Sequence, residues 1–191
     1  MRFAVFLLVL IGSTQTHAKP PRPQDTPRLT SVSDIARLGP KIRPLPKTMW
    51  PLRRGETIKL EYPLPSPAQE ESNYGWRFSE HRDQWRFHTG HDLIAPSGTE
   101  VLAALSGRAL MVQPVNGYGL TVLLDHGNGW QTLYAHLLRA QLRPGEFVTT
   151  GEPIGNVGAS GYASTSHLHF ELRRFKNGQT MAIDPAPLLH R

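Results

Sequence analysis

From Tyr74 onward, apolar residues come in short runs broken by glycine-rich turns, among them "TEVLAAL", "GRALMVQPV", "GLTVLLDHGNGWQTLYAHL", "GEFVTTGEPIGNV" and "HLHFELRRF". No segment of helical length repeats apolar residues at spacings of three and four, so the pattern predicts a nearly all-β domain. The strands are short and closely spaced, as in sandwiches and half-open barrels. "DHGNG", Asp125 to Gly129, lies between two such runs, and its Asn-Gly pair accepts the positive φ that tight hairpin turns require. "FKNGQ" repeats that logic nearer the C-terminus.

The first 62 residues follow different rules. Met1 and Arg2, the apolar run "FAVFLLVLIG" and then "STQTHA" have the layout of a secretory signal cut after Ala18. The run falls well short of the roughly 20 residues that span a bilayer, which argues for cleavage over anchoring. Eight prolines between Lys19 and Tyr62 predict extended, polyproline-like stretches. Within them "SVSDIARLG", residues 31–39, is expected to form a brief helical turn, and "ETIKLEY" a strand ending at "PLPSP". The chain therefore divides into a signal (1–18), a basic proline-rich extension (19–62) and one folded domain (63–191), a size that needs no second core.

Charge sharpens this division. Ten Lys and Arg stand against four Asp and Glu between Lys19 and Tyr62, but ten against eleven from Pro63 to Arg191. The basic character belongs to the extension, which is either an arm drawn to anionic envelope surfaces or a solvated linker. The chain has no cysteine, so it forms no disulfide, and a metal would have to be held by His, Asp or Glu.

In "HLH", His167 and His169 are two apart, which on a strand puts both imidazoles on one face with α-carbons roughly 6 to 7 Å apart. In "FHTGHD", His88 and Asp92 would lie roughly 13 Å apart on a straight strand, too far to share a metal, so the segment must fold back, with Gly90 permitting the bend. Two imidazoles and a carboxylate would give three protein ligands and an open fourth position, the pattern of a catalytic zinc site. His136 ends the apolar run "LYAHL".

Together, "YGWRFSEHRDQWRFHTGHDLIAPSGTEVLAALSGRALMV", "GYGLTVLLDHGNGWQTLYAHL" and "GEPIGNVGASGYASTSHLHFELR" resemble the M23 family of zinc metallopeptidases, the LytM and lysostaphin-like cell-wall endopeptidases. The resemblance runs from about Pro63 to Pro187, with three motifs in family order. It implies antiparallel sheets forming a groove, the LytM/M23-type duplicated hybrid motif, behind the proline-rich arm. It implies one Zn2+ per chain held by His88, Asp92 and His169, with His136 and His167 as catalytic histidines. It implies peptidoglycan stem peptides as substrate and the periplasm or cell envelope as location, with secretion as the alternative. Neither nucleic-acid binding nor stable membrane insertion after signal cleavage is expected.

Tyr134 and Arg77 are candidates for the groove wall. Thr165 and Ser166 stand where the family usually has glycine and proline before His-x-His, which bears on substrate choice. His91 replaces a common Ile or Val and is expected at the surface, as are His81, His126 and His190. The main rival is a regulator of the same fold that binds and activates cell-wall amidases, but such a domain has no reason to keep all five site residues. A biotinyl or lipoyl carrier needs a hairpin lysine, and none occurs between Lys59 and Lys176. A serine hydrolase would show a Gly-x-Ser-x-Gly turn, which is absent.

Overall fold

A computed structural model describes residues 19–23, 58–80 and 83–190. The expected signal, the turn at 31–39 and His81 lie outside these residues. The first strands are Leu60–Glu61 (β1), Glu70–Ser72 (β2), Gly75–Ser79 (β3), Gln84–His88 (β4), His91–Ile94 (β5) and Glu100–Leu102 (β6). Longer ones follow: Gly107–Val115 (β7), Gly119–Gly127 (β8) and Trp130–Ala140 (β9). The chain continues through Phe147–Val148 (β10), Pro153–Val157 (β11), His167–Lys176 (β12), Gln179–Ile183 (β13) and Leu189–His190 (β14), with a 3-10 turn at Ala186–Leu188.

The large sheet runs in the order β10-β7-β8-β9-β12-β5-β2, with β13 paired to β12 and β11 bridging β9 and β6. Every pairing within it is antiparallel, as the resemblance to the M23 family implies. The β3–β4 ribbon forms its own two-stranded sheet, and β1 pairs in parallel with β14. Both Asn-Gly turns appear as expected. Asn128 and Gly129 have φ of 52° and 75° between β8 and β9, and Asn177 and Gly178 have 52° and 73° between β12 and β13, the double positive φ of a hairpin turn that matches strand twist.

β12 lies at the heart of the sheet and is buried on both faces. Leu168, Phe170 and Leu172 enter the main core with Leu93, Val122, Leu124, Tyr134 and Leu137. Full burial of each such side chain contributes about 1.5 to 3 kcal/mol. The alternate residues His167, His169, Glu171 and Arg173 are also buried, on the side where Met111, Leu123, Leu133 and Ala135 form a smaller cluster.

The folded unit begins upstream of the expected boundary at Pro63. Ile58, Leu60 and Tyr62 are buried in the main core, and the strand anticipated in "ETIKLEY" contributes β1, closed against the end of the chain.

Candidate metal centre

Register brings the first two candidate ligands together. In the antiparallel pairing of β12 with β5, His169 sits directly opposite Asp92. His88 arrives from the end of β4, and the turn at Thr89 and Gly90 folds the segment back as its spacing demanded. Gly90 serves this turn through space and not through a left-handed φ. A Cβ there would lie 2.5 Å from the Phe170 carbonyl oxygen and 2.9 Å from His169 Cε1, closer than a side chain can approach.

Three ligand atoms converge. Asp92 Oδ1 lies 2.7 Å from His169 Nδ1 and 2.9 Å from His88 Nε2, and the two nitrogens are 3.1 Å apart. Edges of this size approach those of a tetrahedron with ligand bonds of about 2.0 to 2.2 Å. The outer contacts support the same reading. His88 Nδ1 lies between the Asn73 carbonyl, at 2.9 Å, and Arg77 Nη2, so its other nitrogen, Nε2, is the one that points inward. His169 Nε2 is 2.9 Å from Glu171 Oε1, which leaves Nδ1 to point inward in the same way. Two ring nitrogens and a carboxylate oxygen this close together require a proton or a cation between them, so the donor set fits a divalent metal. Among the described residues these three form the group able to hold one.

The electrostatics agree. Burial alone would raise the Asp92 pKa, but hydrogen bonds from His169 and His88 and their charges hold it well below the usual carboxylate range. Burial alone would depress His169, yet its hydrogen bonds to Asp92 and Glu171 push it up to about 9. The metal and a second proton on His169 therefore compete for one site. Arg77 reaches this shell: Nη1 is 3.4 Å from Asp92 Oδ2, while Nη2 touches His88 Nδ1 and donates to the Asn73 carbonyl at 2.7 Å. It occupies the ligand rim on β3.

His136 and His167 lie alongside, their ring centroids 4.6 Å apart, and His136 is 5.9 Å from the His169 ring. His136 gets there through a defect in the sheet. Between β8 and β9 the pairing passes from Val122↔Tyr134 to Leu120↔Leu137, so two residues of β9 oppose one of β8. Tyr134 and Leu137 both enter the main core, while the intervening His136 adopts φ 59°. This bulge turns its imidazole out of the core and toward the site. Its Nδ1 donates to the Ser160 carbonyl at 2.7 Å, and His167 Nδ1 donates to the Thr165 carbonyl at 2.9 Å. Both rings thus turn Nε2 toward the site; that of His167 is 3.8 Å from Asp92 Oδ1. Burial pushes His136 down to about 4, so it is neutral at pH 7.

The structure adds a layer behind His169 that the sequence reading did not single out. Glu171 Oε1 accepts from the Thr89 hydroxyl at 2.6 Å and the Tyr118 hydroxyl at 2.8 Å, and Glu171 Oε2 accepts from Arg173 Nε at 2.5 Å. Glu171 and Arg173 are both 0 % exposed. Burial would raise Glu171, but the Arg173 charge and the His169 contact keep it ionised. The signal was available: from His167 to Arg173 every second residue of an otherwise apolar strand is polar.

Three positions depart from expectation. Tyr134 is 0 % exposed and accepts a hydrogen bond from the Ala104 amide at 2.8 Å, so it fills the core and lines no groove. His91 is buried, because β2 and β12 flank its strand, and its Nε2 lies 3.1 Å from Glu71 Oε2. His126 is likewise buried, set between the Ser106 carbonyl and the Thr132 hydroxyl. His190 is exposed, as expected.

An all-β scaffold that gathers two imidazoles and a carboxylate able to hold a metal, with two further imidazoles beside them, narrows the class of protein. Residues 86–185 match peptidase family M23, and the chain belongs to that family. It is 43 % identical over 108 residues to the DD-carboxypeptidase/endopeptidase Mpg of Neisseria meningitidis, covering 56 % of this chain and 24 % of that protein. It is 40 % identical over 97 residues to the murein hydrolase activator EnvC of Escherichia coli, covering 51 % of this chain and 22 % of that one. The crystal structure of the catalytic domain of the M23 protein EnpA from Enterococcus faecalis aligns with a TM-score of 0.57 at 30 % identity, over 68 % of this chain and 95 % of that one. The chain thus spans about a quarter of the length of the first of these curated relatives.

Proposed function

We propose that this chain is an exported zinc metalloendopeptidase that hydrolyses peptide cross-links of peptidoglycan. The observation that carries the proposal is the convergence of Asp92 Oδ1, His88 Nε2 and His169 Nδ1, with His136 and His167 beside them. Zinc held by these three residues supplies Lewis-acid polarisation of the scissile carbonyl and activation of the attacking water. His136, neutral and tautomerically fixed by the Ser160 carbonyl, accepts the proton of that water at Nε2 and passes it to the leaving amine. His167, its Nδ1–H held by the Thr165 carbonyl, donates to the oxyanion that develops on the substrate from Nε2 in its doubly protonated form. Arg77 steadies Asp92 by binding its outer oxygen.

The likeness to a DD-carboxypeptidase/endopeptidase and to a murein hydrolase activator supports this substrate class. Location in the periplasm or envelope follows from that substrate and from the signal-like first 18 residues. The second reading, a non-catalytic activator of amidases, is favoured by the likeness to EnvC.

Zinc analysis combined with a muropeptide digest separates the two readings. The wild type should hold one zinc and release cleaved muropeptides. His169→Ala should lose zinc, and His136→Ala should keep zinc but lose turnover by about 10²- to 10⁴-fold. A wild type that binds no zinc and cleaves nothing would leave the activator reading standing.

A further inference from the structure

The β3–β4 ribbon has two chemically distinct faces. Its register pairs Gly75 with His88 and Arg77 with Arg86, and between them pairs Trp76 with Phe87 and Phe78 with Trp85. Successive strand residues alternate sides, so one face carries His88 and Arg77 to the metal centre and the other presents four aromatic rings. These rings stack edge to face, Trp76 on Phe87 at 5.2 Å and Phe78 on Trp85 at 5.5 Å, and Tyr74, just ahead of β3, adds a fifth ring on Phe87 at 5.0 Å. Two strands alone are marginally stable, and among the described residues this ribbon pairs with no other strand. Its aromatic face needs a cover.

That cover is "KPPRP", Lys19 to Pro23. The Trp85 indole N–H donates to the Pro20 carbonyl at 2.7 Å. Lys19 Nζ lies 4.5 Å from the Phe78 ring centroid and 5.6 Å from that of Trp85. Arg22 and Pro23 line a cleft with Tyr74, Trp76 and Phe87. An aromatic surface, an indole donor aimed at a proline-segment carbonyl and a cation over a ring are the means by which grooves recognise polyproline helices, whose fixed φ leaves little entropy to lose on docking.

We infer that the aromatic face of β3–β4 is a polyproline-binding surface whose occupant is the chain's own Lys19–Pro23 segment, and that this docking steadies the ribbon. The basic proline-rich arm thereby gains a role that neither envelope attraction nor solubility supplies. The inference does not depend on the peptidase reading, because the ribbon and its occupant are defined without the metal.

The test compares the ¹⁵N-labelled full chain with a chain carrying Lys19→Gly, Pro20→Ser, Pro21→Gly, Arg22→Ser and Pro23→Gly together. Trp85→Phe identifies the Trp85 indole signal. In the five-fold variant the Trp85 and Trp76 indole signals should move while that of Trp130, on β9, stays in place and reports an intact sheet. Amide exchange in β3 and β4 should quicken about tenfold, the order expected for losing one hydrogen bond and an exposed cation-π contact. Unmoved indole signals would overturn the docking, and unchanged exchange would overturn the steadying. The wild-type signals should not depend on protein concentration; a concentration-dependent Trp85 shift would assign the occupant to a second copy and overturn the intramolecular inference.

Discussion

Glu171 holds the outer nitrogen of His169: Oε1 lies 2.9 Å from Nε2, in a carboxylate with no exposure to solvent. This contact fixes which nitrogen of His169 faces the metal position, and the Arg173 charge keeps the carboxylate ionised against the pull of burial. Glu171→Gln removes the charge but keeps the shape. Zinc affinity should fall about 10- to 100-fold, measured by competition with a chelator. The fold should weaken by about 3 to 5 kcal/mol, since Arg173 loses its buried counter-ion. Unchanged zinc affinity would show that Glu171 does not orient the ligand.

At Gly90 any side chain meets the Phe170 carbonyl and the His169 ring. Backbone in the central strand cannot move aside cheaply, so the His169 ring or the turn must shift. Gly90→Ala should therefore lose about 1 to 3 kcal/mol in urea denaturation and also bind zinc more weakly. A loss of stability with full zinc affinity would mean that the turn moves and the ligand does not.

The bulge at His136 makes an unusual demand on substitution, because φ is 59° there. Glycine adopts this conformation freely, whereas a β-branched residue is strained by it. His136→Gly should stay within about 1 kcal/mol of the wild type and His136→Val should lose at least about 2 kcal/mol, read from urea midpoints of zinc-free samples. An ordinary strand position would give the opposite order. Both variants should be inactive on muropeptides.

His126 makes stability depend on pH. Burial lowers its pKa to about 4 in the folded chain, against about 6.5 when unfolded. The unfolded chain therefore binds a proton first as pH falls. The stabilisation from a neutral His126 is complete above about pH 6.5 and is lost between there and pH 4, at up to about 1.4 kcal/mol per pH unit. Denaturation of wild type and His126→Gln at pH 7.5 and 4.5 should show the wild type losing more. Equal losses would rule out His126 as the source.

Features written locally in the chain were legible. The Asn-Gly hairpins, the strand alternation and the shared face of His167 and His169 each depend on a few neighbouring residues. What escaped depends on distant partners. Glu171 and Arg173 look like exposed charges until Thr89, Tyr118 and His169 close around the Glu171 carboxylate and Arg173 pairs with it. His91 and His126 look like surface histidines until tertiary packing buries them. Tyr134 precedes the bulge by two residues, and nothing in "LYAHL" announces a histidine with positive φ, a conformation more familiar for Gly or Asn. The parallel closure of β1 on β14 likewise joins opposite ends of the folded unit with no local mark.

The main-chain carbonyls of Ser160 and Thr165 set the protonation geometry of His136 and His167. A carbonyl is present whatever amino acid occupies the position. Provided that the path of the loop is kept, residues such as Tyr162, which is 83 % exposed, are free to diverge without disturbing either imidazole. The segment containing "STS" can therefore drift in sequence and retune what it touches while the proton chemistry beside it is inherited unchanged.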